Sequence, residues 1–242
     1  MSKKIFITGG TGSIGMALVK EFAQNDCQVT FQYSRNENRA TEMQKEFGCT
    51  GWKIDFSKMQ ELREADFDVI INNAAINISS DLTIDTSIDD WNRTLLVNVT
   101  YQFLIVKQYL PTMQKKGWGR ILNISSIFGL RGIENNLPYT VSKHALSGLT
   151  KTVAKEVGDS GVTCNEICPG PVTSELMTRI AEENERSSGQ SIDDYFGELS
   201  EEIPLRRLAN PAEIASLALY LASDGAGYIN GVSIPIDGGL IS

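Results

Sequence analysis

Short apolar runs along this chain alternate with longer segments in which apolar residues recur at helical spacing. The runs are rich in β-branched and aromatic residues, which favours strands. Seven segments have this character: KIFIT at 4–8, QVTFQY at 28–33, GWKID at 51–55, DVIINNA at 68–74, RILNISS at 120–126, VTCNEIC at 162–168 and GVSIPID at 231–237. The pattern therefore predicts seven strands.

Helical periodicity fills most of the intervening sequence. Helices are predicted at 14–24, 38–47, 58–64, 88–113, 138–157 and 211–222, the third of them short. Strands that alternate with helices indicate right-handed βαβ crossovers and a parallel sheet. Such a sheet is buried on both sides, so we expect an α/β fold: a doubly wound, seven-stranded parallel sheet with helices on both faces.

The segment 174–204 is the one long stretch without a clear pattern, and it is strongly charged. Long loops in compact domains usually serve function, so we expect an irregular, mobile segment that covers the substrate. A solvated surface insertion is the alternative.

Composition limits the possible functions. The chain has 242 residues, of which 41% are hydrophobic, and a net charge of -8. This length fits one large domain, 1–242, and the negative charge disfavours nucleic acid or anionic membrane as a partner. The cysteines (Cys27, Cys49, Cys164 and Cys168) form no CxxC pair and His144 is the only histidine, so no metal site is expected. No apolar run is long enough for a signal peptide or membrane span, which predicts a cytoplasmic protein.

A cluster of glycines follows the first predicted strand, in KKIFITGGTGSIGMALVKEF at 3–22. In doubly wound sheets a ligand binds where the first strand meets the first helix, whose N-terminus offers free N–H groups. Gly9, Gly12 and Gly15 have GxxGxxG spacing rather than the common GxGxxG. We expect Gly9 to allow the turn, Gly12 to let backbone approach a pyrophosphate, and Gly15 to let the helix pack closely on the sheet. A bend that binds nothing is the alternative.

A second informative stretch, 120–146, contains Ser126, Tyr139 and Lys143. Residues at i and i+4 share one helix face, so the Lys143 ammonium can lie close to the Tyr139 hydroxyl. At roughly 5 Å and an effective dielectric near 20, their attraction is about 3.3 kcal/mol, which would bring the phenol pKa from about 10 to about 7.5. Tyr139 would then act as a general acid or base, and Ser126 would hydrogen-bond the substrate oxygen. A surface YxxxK pair is the alternative for these two residues.

Taken together, the motifs of the chain resemble those of the short-chain dehydrogenase/reductase family. They are TGGTGSIG at 8–15, IDF at 54–56, NNAA at 72–75, Asn98 in LLVNVT, Ser126, Tyr139 with Lys143, PGPVTS at 169–174 and IDGG at 236–239. The resemblance implies a Rossmann-type NAD(P)-dependent oxidoreductase that acts on CH-OH or C=O groups. It also implies that Lys143 holds the nicotinamide ribose and that Asn98 holds a water that links Lys143 to solvent.

The resemblance assigns a larger set of residues to the dinucleotide: Gly9, Thr11, Gly12, Ser13, Ile14, Gly15, Tyr33, Ser34, Arg35, Asp55, Phe56, Asn73, Ala74, Ala75, Tyr139, Lys143, Pro169, Gly170, Val172 and Ser174. Tyr33 stands where NAD-preferring members carry an acidic residue, and Arg35 could pair with a 2′-phosphate. NADP is therefore the expected cofactor. NAD is the alternative, since position 12 in the glycine loop lacks the basic residue of many NADP-preferring members. Asp55 is expected to bind the adenine amino group or to cap a helix.

The expected activity is NADPH-dependent reduction of a carbonyl, and the chain is most like the 3-oxoacyl-[acyl-carrier-protein] reductases of fatty-acid or polyketide synthesis. Lys115, Lys116, Arg120 and Arg131 are candidates for a basic patch that receives an acidic carrier. The alternatives are dehydrogenation of a free sugar, polyol or steroid-like alcohol, and a noncatalytic dinucleotide sensor. By resemblance, the helices at 88–113 and 138–157 pair between subunits, which predicts a homotetramer or homodimer.

Overall fold

A computed structural model describes residues 2–78 and 81–242 of the chain. Its strands are β1 (Lys4–Ile7), β2 (Gln28–Tyr33), β3 (Thr50–Lys53), β4 (Val69–Asn72), β5 (Gly119–Ile124), β6 (Val162–Pro169) and β7 (Ser233–Ile236). They form one sheet in the order β3-β2-β1-β4-β5-β6-β7, and every pairing is parallel. This confirms the predicted sheet. The order reverses between β1 and β4, which places a ligand-binding crevice at the carboxyl ends of these strands.

Helices cover both faces of the sheet, as predicted. They are α1 (Ser13–Gln24), α2 (Glu37–Phe47), α3 (Ile88–Leu95), α4 (Tyr101–Lys116), α5 (Leu137–Val157), α6 (Glu175–Ser188), α7 (Ile192–Glu202) and α8 (Pro211–Leu221). Strand β1 shows how the core divides: Ile5 and Ile7 pack with α1 and α8 on one face, while Phe6 packs with α4 on the other. Because both faces are covered, every residue of the central strands β4, β5 and β6 is buried. Within the described ranges, no helix is long and apolar enough to cross a membrane.

The helix predicted at 88–113 is interrupted. A π-helical turn at Leu96–Thr100 separates α3 from α4, and Asn98 lies at its centre. The Asn98 amide accepts a hydrogen bond from Ile76 N at 2.8 Å and donates one to Ile76 O at 2.9 Å. A hydrophobic pattern read at a period of 3.6 residues cannot reveal this turn, because the bonds that hold it come from a distant segment. Such turns occur often at functional sites.

The short helix predicted at 58–64 is absent, so that prediction is wrong. Side chains of α4 hold this segment in an irregular path instead. Tyr109 Oη donates to Arg63 O at 2.8 Å, Gln108 Nε2 donates to the same oxygen at 3.0 Å, and Tyr101 Oη accepts from Gln60 N at 2.5 Å. Backbone groups that are bound by side chains of α4 do not need i to i−4 partners. Their hydrogen bonds are therefore made without a helical turn.

The segment 174–204 is helical rather than irregular. Ser174 and Ser191 cap α6 and α7 by accepting from Met177 N at 3.2 Å and Asp194 N at 3.1 Å. Gly189, at φ 78°, ends α6. The charged composition concealed the helices because they bury little: Ala181 is the one fully buried residue of α6, and every described residue of α7 stays partly accessible.

Candidate active site

The candidate site lies where the central strands end. The register pairs Ile7 of β1 with Ile71 of β4, Asn72 with Asn123 of β5, and Ile124 with Ile167 of β6. The segments that follow these strands therefore share one edge of the sheet. They are the glycine loop after β1, the NNAA motif, the two serines after β5 and the PGPVTS motif.

Two of the three spaced glycines are required by the fold itself. Gly9 has a φ of 65°, which L side chains rarely adopt, and a Cβ on Gly15 would lie 2.1 Å from Gly9 O. Gly15 thus packs α1 against the loop, and not against the sheet as expected. A Cβ on Gly12 would come no closer than 3.5 Å to a neighbouring atom, Gly9 O. The protein leaves this space beside the first turn of α1, where free N–H groups suit an anion.

Buried polar side chains hold the glycine loop from two sides. Asn73 Nδ2 donates to Thr8 O at 2.8 Å, and Thr8 Oγ1 accepts from Asn73 N at 2.9 Å and Ala74 N at 2.8 Å. From β2, Gln32 Oε1 accepts from Gly9 N at 2.9 Å. Sequence analysis missed Gln32, which stands between the aromatic residues Phe31 and Tyr33 of the strand. The loop is preorganised by these bonds.

The site brings Tyr139 and Lys143 together on one face of α5. Lys143 Nζ lies 5.4 Å from the centre of the Tyr139 ring and donates a hydrogen bond to Ile124 O at 2.9 Å. The lysine is only 2% exposed, whereas Tyr139 is half-buried. A solvated surface pair is therefore excluded for YxxxK. The ammonium is fixed at the end of β5, beside the phenol.

Ser126 completes this group, and its neighbour points elsewhere. Ser126 Oγ accepts from Phe128 N at 3.2 Å and interacts with the Tyr139 hydroxyl, whose pKa it lowers. Ser125 Oγ donates to the backbone oxygen of Lys143 at 3.3 Å. As the alternation of a strand predicts, only one of the two serines faces the phenol.

The protonation of the pair differs from the expected one. Burial raises the pKa of Tyr139 to about 12, and the hydrogen bond from Ser126 opposes the rise only in part. Burial also lowers the pKa of Lys143 to about 8, against the attraction of the Glu166 carboxylate. The expected phenol pKa of about 7.5 counted the attraction between the two groups and left out the loss of solvent around both. At neutral pH the phenol is protonated, as a proton donor must be.

Asn98 is joined to α5 through a serine. Its Nδ2 donates to Ser142 Oγ at 3.0 Å, and Ser142 Oγ donates to the backbone oxygen of Tyr139 at 2.7 Å. Asn98 is completely buried. The π turn is thus joined to the helix that carries the phenol.

The ends of β2 and β3 continue this row of strand ends, which forms the candidate cofactor groove, and they present the side chains predicted to meet the nucleotide. Tyr33 ends β2 half-buried, Ser34 follows it, and Arg35 is exposed to solvent. Asp55 Oδ1 accepts from Ser57 N at 3.0 Å and Ser57 Oγ at 2.7 Å, and the latter bond is the main cause that lowers the pKa of Asp55. Asp55 begins a turn and does not cap a helix, so the capping alternative is wrong. The Phe56 ring stacks on Tyr101 with centres 4.2 Å apart, so its side chain belongs to the core.

Arg39 was missed by sequence analysis, although it lies in the first turn of α2, near Arg35. Its Nη1 donates to Thr11 O at 3.2 Å and its Nη2 pairs with Glu175 at 2.6 Å. Glu175 N also donates to Ser13 Oγ at 3.4 Å. The first residue of α6 is therefore attached to the glycine loop.

The PGPVTS motif runs from the end of β6 to α6. Gly170 N donates to Ile236 O at 3.0 Å, and a Cβ on Gly170 would lie 2.8 Å from the Asp237 Cβ. Val172 is buried and pairs with Ala209. Pro169 and Ser174 mark the two ends of this fixed path, so α6 begins close to the groove.

Several other features lie outside this site. A cavity of about 1230 Å³ lies at the amino ends of β1 and β2, on the opposite edge of the sheet. His144 is exposed on α5. Within the described ranges, no group of three or more histidine, cysteine and acidic side chains is arranged to hold a metal.

The proposed basic patch is not formed, so that prediction is wrong. Arg120 is buried and donates to Gly119 O at 2.8 Å and Ser223 O at 3.3 Å. Lys115 and Lys116 precede β5, whereas Arg131 follows it, so they lie at opposite edges of the sheet. Basic residues close in sequence were separated by the strand between them.

Comparison with known proteins identifies the family of the chain. Residues 9–241 match a family model described as enoyl-(acyl carrier protein) reductase. The chain is 32% identical to a D-beta-hydroxybutyrate dehydrogenase of Rhizobium meliloti, over 99% of this chain and 98% of that protein. It is 30% identical to a 3-oxoacyl-[acyl-carrier-protein] reductase of Aquifex aeolicus, over 98% and 97% of the two chains.

A solved structure gives the same result for the fold. The crystal structure of a variant actinorhodin polyketide ketoreductase with NADPH superposes with a TM-score of 0.92 and 27% identity, covering 99% of this chain and 97% of the other. The chain belongs to the short-chain dehydrogenase/reductase family, and it is an oxidoreductase of CH-OH and C=O groups.

Proposed function

We propose that this protein reduces the carbonyl of a 3-oxoacyl thioester with NADPH. The observation that carries the proposal is the buried Lys143 ammonium beside the hydroxyls of Tyr139 and Ser126, at the strand ends next to the glycine loop. Tyr139 is the proton donor to the carbonyl oxygen, and Ser126 donates a hydrogen bond to that oxygen. The Lys143 charge favours the tyrosinate that remains.

The groove fits a dinucleotide. The Gly12 position leaves space beside the N-terminus of α1 for a pyrophosphate, and Lys143 has free donors for a ribose because the backbone bond to Ile124 O uses one of three. Asp55, Ala75 and Asn73 border the path between these ends. When bound, NADPH supplies the hydride. The proposal does not need a metal.

We assign NADP rather than NAD from Tyr33 and Arg35. No carboxylate stands at Tyr33 to repel a 2′-phosphate, and the exposed Arg35 guanidinium is free to form a bidentate pair with it. The structural neighbour with NADPH, at 27% identity, supports this choice.

Substitution Arg35→Ala tests the cofactor assignment. Loss of a charge-assisted phosphate pair should raise the KM for NADPH by about 10- to 100-fold and change the KM for NADH less than about twofold. Steady-state kinetics with both cofactors gives the ratio. Lys45→Ala removes a positive charge from the last turn of the adjacent helix α2 and should change neither value. An equal rise for both cofactors contradicts a phosphate role for Arg35.

The substrate class is proposed from the relatives. D-beta-hydroxybutyrate and 3-oxoacyl groups share an oxygen on the third carbon of an acyl chain, as the names of two relatives indicate. We expect NADPH oxidation to be fastest with 3-oxoacyl thioesters in a panel that also contains carrier-bound acyl chains, sugars, polyols and steroids. Fastest turnover of a free sugar or polyol would favour the alternative dehydrogenase. Nucleotide binding without any turnover would favour a noncatalytic sensor.

Two further features belong to the proposal. The helices α6 and α7, at 174–204, cover the substrate and close the single domain formed by 1–242. The chain forms a homodimer or homotetramer through the helices at 88–113 and α5, which light scattering would test. The apolar Phe103 of α4 is 46% exposed in one chain, which suits a subunit contact.

A further inference from the structure

Strand β6 carries a carboxylate in the interior of the protein. Glu166 is completely buried, and the sheet register places it between Asn123 of β5 and Ser233 of β7. Both oxygens accept hydrogen bonds from Ser147 Oγ, at 3.0 and 2.7 Å, and Oε2 also accepts from Ser233 Oγ at 2.5 Å. The five salt bridges found among the described residues do not include Glu166. A buried acidic group of this kind needs a compensating charge nearby.

The candidate for that charge is Lys143, whose pKa the Glu166 carboxylate raises. Ser147, which binds Glu166, follows Lys143 by four residues on α5, so the two side chains lie one turn apart on the same helix face. Lys143 is also buried, and its hydrogen bond goes to a neutral carbonyl, Ile124 O. Each buried charge is therefore held by neutral groups of its own, and the charges can attract one another across a dry interior.

Few other titratable groups face Lys143. From α5 there is Tyr139, and from β6 there are Glu166 and Cys168. Burial raises the pKa of Cys168 to about 12, so this thiol is neutral at physiological pH. Among the other segments packed on α5, the turns at Leu96–Thr100 and Ile127–Gly129 have no titratable residue. Asp89, Asp90 and Arg93 of α3 lie at least partly exposed, and the buried Arg120 lies at the opposite end of β5 from Ile124, the partner of Lys143.

We infer that Glu166 is a positioning residue for the proposed reaction: its buried negative charge keeps Lys143 protonated beside Tyr139 and so sets the alkaline limit of activity. The inference rests on the proposed function for its effect on catalysis, but not for its effect on Lys143. The attraction between Glu166 and Lys143 opposes the fall of the Lys143 pKa caused by burial, which leaves that pKa at about 8. Without the carboxylate, the largest influence that opposes burial would be lost.

The pH profile of carbonyl reduction tests this role. In the unaltered protein, kcat/KM should fall above about pH 8 as Lys143 loses its proton. Glu166→Gln keeps the shape and hydrogen-bonding capacity of the side chain, and should move this fall to lower pH by about one unit. Glu166→Asp keeps the charge and should retain the fall near pH 8. Ser147→Ala removes a hydrogen bond but keeps the charge, so it should also retain the fall near pH 8. An alkaline limb that stays in place in Glu166→Gln would overturn the inference.

Unfolding provides a readout independent of activity. The folded-state pKa of Lys143 is below its ordinary value of 10.5, so the unfolded state binds more protons between about pH 8 and 10.5 and stability rises with pH there. In Glu166→Gln this rise should begin about one unit lower, measured as the urea midpoint against pH. In a Lys143→Met background the same substitution should produce no such change. If the change persists without Lys143, Glu166 acts on something else. If stability responds as expected but no carbonyl is reduced, only the proposed function fails.

Discussion

Replacing Tyr139 with phenylalanine is expected to lower kcat for carbonyl reduction by about 10²- to 10⁴-fold, the range of a positioned general acid. The ring stays half-buried and Lys143 keeps its bond to Ile124 O, so the groove should keep its shape. The Kd for NADPH, measured by fluorescence titration, should therefore change less than about threefold. The lost rate reflects the missing proton at the carbonyl oxygen.

A matched control for this variant is Tyr220→Phe, which removes a hydroxyl from a tyrosine that is 52% exposed on α8. We expect its kcat to equal that of the unaltered protein. A kcat that survives in Tyr139→Phe would remove this phenol from the reaction. A loss of NADPH binding equal to the loss of rate would assign Tyr139 to the groove rather than to proton transfer.

Substitution Gly15→Ala is expected to damage the glycine loop itself. The new Cβ would lie 2.1 Å from Gly9 O and 2.9 Å from Gly10 Cα, so backbone must move on one side or the other. Overpacking of this kind costs about 1–3 kcal/mol of unfolding free energy. The displaced loop should also bind NADPH more than about tenfold less tightly, since donors must lie within hydrogen-bond distance of the phosphates. Urea unfolding and fluorescence titration measure the two effects.

Gly12→Ala tests whether this glycine is required for ligand binding rather than for stability. Its Cβ would come no closer than 3.5 Å to protein, so the free energy of unfolding should change by less than about 0.5 kcal/mol. If Gly12 lets the backbone approach a pyrophosphate, NADPH binding should weaken while the free energy of unfolding stays unchanged. Gly148→Ala on α5 adds a Cβ in open space, so it should leave NADPH binding unchanged and raise the free energy of unfolding by about 0.5–1 kcal/mol, because alanine favours a helix interior more than glycine does. If Gly15→Ala behaves like Gly148→Ala, the loop does not need the contact described here.

The sheet was predictable because its evidence is local. Each strand is a short apolar run bounded by turns, and KIFIT, QVTFQY and VTCNEIC match β1, β2 and β6 closely. A parallel, doubly buried sheet then follows from the alternation of strands and helices. The close placement of Tyr139 and Lys143 was equally predictable, since helix geometry alone brings i and i+4 together.

The errors concern structure that depends on distant partners. The irregular path at 58–64 is set by Tyr101, Gln108 and Tyr109 of α4, and the π turn at Asn98 is bound to Ile76. Arg120 looked like a surface charge until the fold enclosed it. The direction of the Tyr139 pKa shift depends on how much solvent the assembled protein removes, which spacing does not give.

Glu166 could be noticed in the sequence, but its partners could not. A glutamate within VTCNEICP departs from the apolar character of a buried strand, but the serines that bind it come from α5 and β7. Its relation to Lys143 follows only when Ser147 is placed one turn along the same helix. A charged residue in a buried strand therefore indicates a functional role, and the fold shows which groups it interacts with.

The most direct test of the account is to follow the hydrogen that is transferred. Reduction of a 3-oxoacyl thioester with NADPH deuterated at the transferred position should give a 3-hydroxyacyl product that carries deuterium on the carbinol carbon, detected by mass spectrometry. Tyr139→Phe should form this labelled product at about 10²- to 10⁴-fold lower rate. A product without deuterium, or no product from a folded protein that binds NADPH, would contradict a carbonyl reductase built on Tyr139, Ser126 and Lys143.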